Sequence, residues 1–264
     1  MILRVLPLGA AIAAVAIAAA PALAEPLPAA PAAVCGAPPD LVRLDHPLRR
    51  TAQRYASGQP ITIVAIGSSS TQGAGASSPA MSYPSRLTVE LKALWPRIDI
   101  KVVNRGVGGE TATEMLARFD EQVIAEKPDI VVWQVGSNSV LRDEPIAPAA
   151  ILIRKGLSKL KGTGADIILM NPQYAPKVIV KHDAERMVDL IDNEAREARV
   201  DLFQRFAVMR YWRLTENIPF ETFVSSDELH MNDWSYGCVA KLLAGAIVEA
   251  ATRPTLTAGS NSAR

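Results

Sequence analysis

Four short segments of the chain carry residue types that together suit acyl transfer. The first is the serine-rich turn Ser68-Ser69-Ser70, and the last holds Asp227 and His230, three positions apart. A serine, an imidazole and a carboxylate are the parts of a nucleophile activated by a general base with an orienting acid. Between them lie residues 104–111 (NRGVGGET) and 136–139 (GSNS), whose backbone amides and asparagine side chain suit donors to an oxyanion.

Turn chemistry alone does not choose among the three serines, and a serine-rich loop that caps the next helix is the alternative interpretation. The position of one of the three histidines favours a catalytic role for the serine turn over a capping role. His46 lies in an N-terminal leader, whereas His182 precedes a predicted helix, where a capping or solvated role fits better, and remains the reserve candidate. His230 follows Asp227 within a turn, so that the carboxylate can accept the Nδ1 proton and leave Nε2 free for a serine. The alternative is a surface histidine with an unrelated acidic neighbour.

The glycine-rich segment favours an anion site over a nucleotide site. Gly106, Gly108 and Gly109 permit backbone conformations in which an amide faces a ligand, and Asn138 can aim its side-chain amide at the same point. A plain turn is the alternative. The segment lacks the lysine of a P-loop and the G-x-G-x-x-G spacing. The chain also lacks a G-x-S-x-G nucleophile elbow and an H-E-x-x-H motif, and its scattered histidines predict no metal site.

Apolar strands and amphipathic helices alternate along the chain, which predicts an α/β fold with a three-layer α/β/α arrangement around a parallel five-stranded sheet. Thr111 and Glu114 form a capping-box pair. Function in such sheets lies at the carboxyl ends of the strands, and Ser69, Gly109 and Asn138 each follow one of the first three strands. The predicted strands are 61–66, 98–103, 130–135, 166–170 and 200–203, and the predicted helices are 83–94, 111–127, 149–161, 183–198 and 233–250.

Length and charge narrow the class of protein. The 264 residues fit one α/β domain or at most two small ones, with 28 Lys+Arg against 27 Asp+Glu. This balance argues against nucleic acid as a partner and against electrostatic binding to an anionic membrane.

The termini predict an exported protein. Residues 1–24 resemble a signal peptide that ends in Ala22-Leu23-Ala24, and an uncleaved anchor is the alternative, although the apolar run is short. We expect a Pro/Ala-rich leader with a docking helix (25–56), a globular domain (57–251), a flexible tail (252–264), and no membrane span after cleavage. The expected location is periplasmic or secreted. Cys35 and Cys238 either pair or remain two unpaired thiols, and the bulky Val34 disfavours a lipoprotein site.

In the four segments that carry the serine turn, the glycines, Asn138 and His230, the chain resembles the SGNH (GDSL-type) hydrolases. That family is named for a Ser, Gly, Asn and His in four separated blocks. Residues 67–73 (GSSSTQG) match the first block, G-D-S-x-T-x-G, except for Ser68 in place of Asp. Gly109 before Glu110 fits the second block, and residues 136–139 fit the third, G-x-N-D, with Ser in place of the Asp. Asp227 and His230 match the final D-x-x-H.

The resemblance implies the flavodoxin-like SGNH fold and the roles of its residues. Ser69 would be the nucleophile, and Asp227 and His230 the other members of a triad. The amides of Ser69 and Gly109, with the side chain of Asn138, would form the oxyanion hole. No cofactor or metal is implied. The substitutions at Ser68 and Ser139 remove two carboxyl groups that help to brace the loops.

The expected activity is that of an exported serine esterase that cleaves a small acyl ester through an acyl-enzyme. O-acetylated polysaccharide or peptidoglycan is the first choice of substrate, and Gln173 and Tyr174 are expected to line its site. Lysophospholipids or thioesters come second. An acyltransferase to sugar would use the same residues. A non-catalytic carbohydrate-binding module on the same fold is the alternative from another class.

Overall fold

The computed structural model describes residue 2 and residues 34–254, so the predicted signal peptide and most of the tail lie outside the described residues. The strands are β1 (Ile61–Gly67), β2 (Ile100–Gly106), β3 (Ile130–Gln134), β4 (Asp166–Met170) and β5 (Asp201–Phe203). They form one parallel sheet in the order β2-β1-β3-β4-β5, the flavodoxin-like order. The predicted α/β fold and the five predicted strands are therefore confirmed, with ends shifted by up to three residues.

The helices of the described residues flank the sheet, together with two 3-10 turns at Pro79–Met81 and Ile124–Glu126. In chain order they are α1 (Pro39–Val42), α2 (Arg49–Ala56), α3 (Ser69–Gln72), α4 (Tyr83–Leu94), α5 (Ala112–Ala117), α6 (Phe119–Gln122), α7 (Ser137–Leu141), α8 (Ile146–Lys161), α9 (Pro176–Ile179), α10 (Ala184–Ala198), α11 (Arg205–Leu214), α12 (Phe220–Phe223) and α13 (Asp233–Thr252).

Alternate side chains of the central strands face two separate apolar clusters. In β1, Ile61 and Ile63 pack with α4, α11 and α13 on one face, whereas Val64 and Ile66 pack with α5, α8 and α10 on the other. A strand that is buried on both faces explains the unbroken apolar run of residues 61–66. The sheet thus forms the middle of three layers, as predicted, and its carboxyl edge is left to the loops.

Two predicted helices are interrupted. Residues 111–127 form α5, α6 and a 3-10 turn, because Arg118 leaves helical geometry with φ −109° and ψ 6° and turns its guanidinium toward Glu110. The predicted capping box of Thr111 and Glu114 is present. The docking helix expected within residues 25–56 also divides into α1 and α2, since Pro47 disfavours helical geometry in the residue before it and α2 starts only at Arg49.

The segment before β1 belongs to the core. Leu44 and Leu48 are 0% and 1% exposed within the same cluster as α13. Asp166, at the start of β4, accepts hydrogen bonds from the backbone amide and hydroxyl of Thr51, at 2.8 and 2.7 Å. Residues 44–56 are therefore fixed to the sheet. None of the described helices is long and apolar enough to cross a bilayer.

Cys35 and Cys238 form a disulfide, which settles the pairing that the sequence left open. The bond joins the segment before α1 to α13 across a sequence separation of 203 residues. Such a large loop costs the unfolded chain much of its conformational entropy when it is closed.

We expect the variant Cys35→Ser/Cys238→Ser to lose about 2–4 kcal/mol of unfolding free energy, because the unfolded chain regains the entropy of the open loop. Denaturant unfolding of both proteins, with and without a reducing agent, measures the loss. The reductant should destabilise the wild-type protein and leave the variant unchanged. Equal stability of the two oxidised proteins would contradict this prediction.

Asp201 at the start of β5 predicts a pH effect on stability. Burial raises the pKa of Asp201 to about 6, and nearby Asp45 adds to the rise. A hydrogen bond from the His46 amide lowers the pKa but does not outweigh burial. An unfolded aspartate has a pKa of about 3.9. Between these values the folded state binds more protons than the unfolded state, so this carboxyl lowers the unfolding free energy as the pH rises from 4 to 7.

Asp201→Asn keeps an acceptor for the His46 amide and removes this titration. We expect the stability of the variant relative to wild type to increase by up to about 3 kcal/mol between pH 4 and pH 7.5. Thermal unfolding of both proteins at the two pH values tests it. A relative stability that does not change with pH would show that Asp201 titrates alike in both states.

Candidate active site

Ser69 is the serine of its turn that reaches the surface. Ser68 and Ser70 are each 1% exposed, whereas Ser69 is half-buried at the first position of α3. The turn follows β1 directly, and Gly106 at the end of β2 lies so close that a Cβ there would be 2.0 Å from the Gln72 nitrogen. Packing of α3 against the end of β2 therefore holds the Ser69 hydroxyl above the carboxyl edge of the sheet.

Asp227, His230 and Ser69 form a continuous row of hydrogen bonds. His230 Nε2 lies 2.8 Å from Ser69 Oγ, and His230 Nδ1 lies 2.5 Å from Asp227 Oδ2. With the Nδ1 proton facing the carboxylate, Nε2 is an acceptor for the serine hydroxyl. Two segments that are 161 residues apart in the sequence are thus brought within direct contact. The reserve candidate His182 lies on the surface beside Asp183, with its side chain 89% exposed.

The carboxylate of Asp227 is held by its own turn. Its Oδ1 accepts hydrogen bonds from the Ser225 hydroxyl and from the amides of Leu229 and His230, at 2.7, 2.9 and 2.9 Å. Partial burial raises the pKa of Asp227, but these bonds and the one from the His230 ring outweigh it and keep the pKa well below its usual range. The group therefore stays ionised at neutral pH.

Asn138 and Gly109 lie on neighbouring loops. Gly109 has φ +82°, a conformation that favours glycine. Asn138 Nδ2 donates to the Glu110 carbonyl at 2.8 Å, which leaves its second hydrogen for another acceptor. Within residues 34–254, neither the Ser69 amide nor the Gly109 amide has a hydrogen-bond partner. The three predicted donors are thus exposed or half-buried, and each has an N–H to offer.

The Gly109 loop is tied to both neighbouring loops. Arg142 Nη2 donates to the Gly109 carbonyl at 2.6 Å. Arg118 donates to both carboxylate oxygens of Glu110, at 2.8 and 3.1 Å from Nε, and its Nη2 reaches the Gly67 carbonyl at 3.2 Å. Arg118 therefore links the segment before Ser69 to the segment after Gly109. The sequence motifs do not indicate a role for Arg118, because residues 111–127 follow the pattern of one continuous helix.

Gln173 does not fit the substrate-lining role predicted for it, whereas the role of Tyr174 stays a prediction. Gln173 is 1% exposed, and its amide group is bonded to Ser137, to Arg205 and to the Leu229 carbonyl. Tyr174 packs its ring against Phe206 and Phe220 and is half-buried. Both residues follow β4 as expected, but Gln173 points into the core. No group of three His, Cys, Asp or Glu side chains in the described part of the chain is arranged to hold a metal ion.

Comparison with known proteins identifies relatives of this chain. A model of the family described as the non-GDSL lipase-like family matches residues 34–253. An acetylxylan esterase of Geobacillus stearothermophilus is 37% identical over 98 residues, which are 32% of this chain and 43% of that protein. An arylesterase of Vibrio mimicus is 24% identical over 151 residues, covering 57% of this chain and 72% of the relative. The matched part is thus less than half of the acetylxylan esterase.

A solved structure shares the fold. It is a two-domain esterase described as active on acetylated mannans, and it superimposes with a TM-score of 0.69 at 20% sequence identity. The match covers 81% of this chain and 56% of that chain. At this identity the likeness establishes the three-layer fold and leaves the chemistry to be argued from the site.

The Arg118–Glu110 pair allows a stability test of the loop connections. The two side chains are 11% and 13% exposed, so Arg118→Met leaves a nearly buried carboxylate without its cation. We expect a loss of about 2 kcal/mol of unfolding free energy. The double variant Arg118→Met/Glu110→Gln should recover part of that loss, because it removes the stranded charge. Denaturant unfolding measures both, and a double variant no more stable than Arg118→Met would exclude this explanation.

Proposed function

The chain belongs to the non-GDSL lipase-like family, and on that premise we propose that it is a serine esterase that releases a small acyl group, with acetyl as the first choice. The membership agrees with the resemblance to SGNH hydrolases, and the description non-GDSL fits Ser68 in the place of the motif's aspartate. The relatives named above are esterases, which supports a carboxylic ester as the bond that is cleaved.

The observation that carries the proposal is the hydrogen-bonded row of Ser69, His230 and Asp227. An imidazole within 2.8 Å of a half-buried serine hydroxyl can take its proton as the oxygen attacks a carbonyl. The ionised Asp227 keeps the Nδ1 proton in place and stabilises the imidazolium that forms. The same row argues against the non-catalytic carbohydrate-binding module.

In the proposed mechanism, Ser69 Oγ attacks the acyl carbon, and its proton passes to His230 Nε2. The negative charge that develops on the carbonyl oxygen is accepted by the Ser69 and Gly109 amides and by the Asn138 side chain. His230 then protonates the leaving alcohol. Water, deprotonated by His230, attacks the acyl-enzyme, releases the acid and restores the serine.

An acetylated carbohydrate is the substrate class that we favour. Two of the proteins similar to this chain are described as an acetylxylan esterase and as an esterase active on acetylated mannans. O-acetylated peptidoglycan has the same chemistry, a sugar acetate. The reaction takes place at the ester group, which all sugar acetates share. Selectivity among sugar acetates therefore depends on contacts with the alcohol side of the substrate.

We further propose that the protein works in the periplasm or outside the cell. The disulfide between Cys35 and Cys238 supports an oxidising compartment, in which such bonds persist. The predicted signal peptide at residues 1–24 supports the same location. In this scheme the disulfide forms after export, when the segment that carries Cys35 packs against α13.

Replacing the serine tests the proposed reaction. Ser69→Ala removes the attacking oxygen, and we expect hydrolysis of p-nitrophenyl acetate to fall by at least about a thousandfold. Ser70→Ala is a matched control, because Ser70 is buried and its hydroxyl has no hydrogen-bond partner among the described residues. The control should keep nearly full activity, and it should still be labelled by a fluorophosphonate.

Two results would refute the proposal. One is equal hydrolysis by Ser69→Ala and wild type, and the other is a wild-type protein that neither hydrolyses the ester nor reacts with the probe. Acetate release from acetylated xylan and from O-acetylated peptidoglycan, measured with the same proteins, separates the two sugar substrates.

A further inference from the structure

The three loops that carry Ser69, Asn138 and His230 are joined beneath the surface by a chain of buried polar side chains. Its members are Gln134, Ser137 and Gln173, which are 0%, 3% and 1% exposed. Within residues 34–254, none of them forms a hydrogen bond with Ser69 Oγ or the His230 ring. Each bonds instead to a residue next to or near a member of the site.

The chain begins under the serine turn. Gln134 Oε1 accepts hydrogen bonds from the Ser68 amide at 2.9 Å, from the Ser68 hydroxyl at 3.1 Å and from the Thr71 hydroxyl at 3.2 Å. These residues lie on both sides of Ser69. One neutral amide oxygen at the end of β3 therefore fixes the backbone of the turn that starts at the end of β1.

Ser137 passes the connection across the asparagine loop. Its Oγ lies 3.5 Å from Gln134 Nε2, at the long limit of a hydrogen bond, and donates to Gln173 Oε1 at 2.9 Å. Asn138 is the next residue. The hydroxyl thus uses both its donor and its acceptor capacity between two glutamines.

Gln173 completes the connection to the histidine loop. Its Nε2 donates to the Leu229 carbonyl at 3.2 Å, directly before His230. Its Oε1 also accepts from Arg205 Nη2 at 3.1 Å, and Arg205 Nε donates to the Asn171 carbonyl at 3.0 Å. Arg205 is fully buried, and its partners here are amide oxygens. A buried cation that relies on such acceptors holds Gln173 in one orientation.

We propose that Gln134, Ser137 and Gln173 are positioning residues that set the distance between Ser69 and His230. The inference rests on the proposed esterase function. This buried chain is one side-chain route between the serine and histidine segments, beside the hydrogen bond that the Tyr236 hydroxyl donates to the Ala74 carbonyl at 2.6 Å. A loose supporting shell displaces the reacting groups, and a displacement of about 1 Å can cost about a hundredfold in rate.

Ser137→Ala breaks the middle of the chain and leaves Ser69, Asn138 and His230 unchanged. We expect kcat for p-nitrophenyl acetate to fall at least about tenfold, with KM within about twofold of wild type, because the lost bonds lie beneath the site. The matched control is Ser82→Ala. Ser82 is a fully buried serine whose hydroxyl bonds to the Pro79 carbonyl and to the Ser85 hydroxyl, each three residues away in the sequence.

The control separates positioning from general stability. Ser82→Ala should lower the unfolding temperature about as much as Ser137→Ala and keep kcat within about twofold of wild type. If the two variants lose kcat equally, or if neither loses it, the positioning role is wrong.

Gln173→Glu keeps the proposal testable if Ser137→Ala does not fold. The introduced carboxylate gains an ionic contact with Arg205 but has no N–H for the Leu229 carbonyl. We expect an unfolding temperature equal to or above that of wild type and a kcat at least about tenfold lower. A stable variant with wild-type kcat would overturn the inference.

Failure of this inference is distinguishable from failure of the proposed function. An active, probe-labelled wild type with unaffected Ser137→Ala and Gln173→Glu variants would remove the positioning role alone. A wild type without activity or labelling would remove the esterase and the positioning role together.

Discussion

A polar atom that is withdrawn from water needs a partner, and at the carboxyl edge of this sheet the partners lie on different loops. The sheet is apolar on both faces, so the serine, glycine, asparagine and histidine loops crowd onto one edge. The Ser68 amide finds Gln134, Glu110 finds Arg118, and the Leu229 carbonyl finds Gln173. Each of these three groups is therefore satisfied by a residue outside its own turn.

The charges are arranged differently on the two sides of Ser69. On the histidine side, the Asp227 carboxylate is bonded within its own turn and meets the imidazole with its remaining oxygen. On the oxyanion side, the carboxylate of Glu110 is neutralised by Arg118 and does not face Ser69 through any hydrogen bond in the described chain. In the proposed mechanism, this arrangement places negative charge beside the imidazolium and leaves N–H groups for the oxyanion.

The sequence predicted the strands and the proximity of three candidate residues, because local patterns and motif spacing carry both. Residues 166–170 are β4 to the residue, and Ser69, Asp227 and His230 lie within hydrogen-bond distance. Side-chain direction was harder to predict. Gln173 follows a strand as expected, yet faces the core, since loop position does not fix where a side chain points. Arg118 interrupts a helix for a partner that periodicity cannot show. Gln134, a polar residue in a β-branched strand, was the available signal for the buried chain.

The family motif has aspartates at two positions that are Ser68 and Ser139 in this chain. Here the side-chain amides of Gln134 and Gln173, which lie at other positions, bond to the serine and histidine loops. Gln134 and Gln173 exchange hydrogen bonds without gaining or losing a proton. Acidification of the surroundings therefore leaves the bonds of these two amides in place, since neither side chain offers a site for an added proton at ordinary pH.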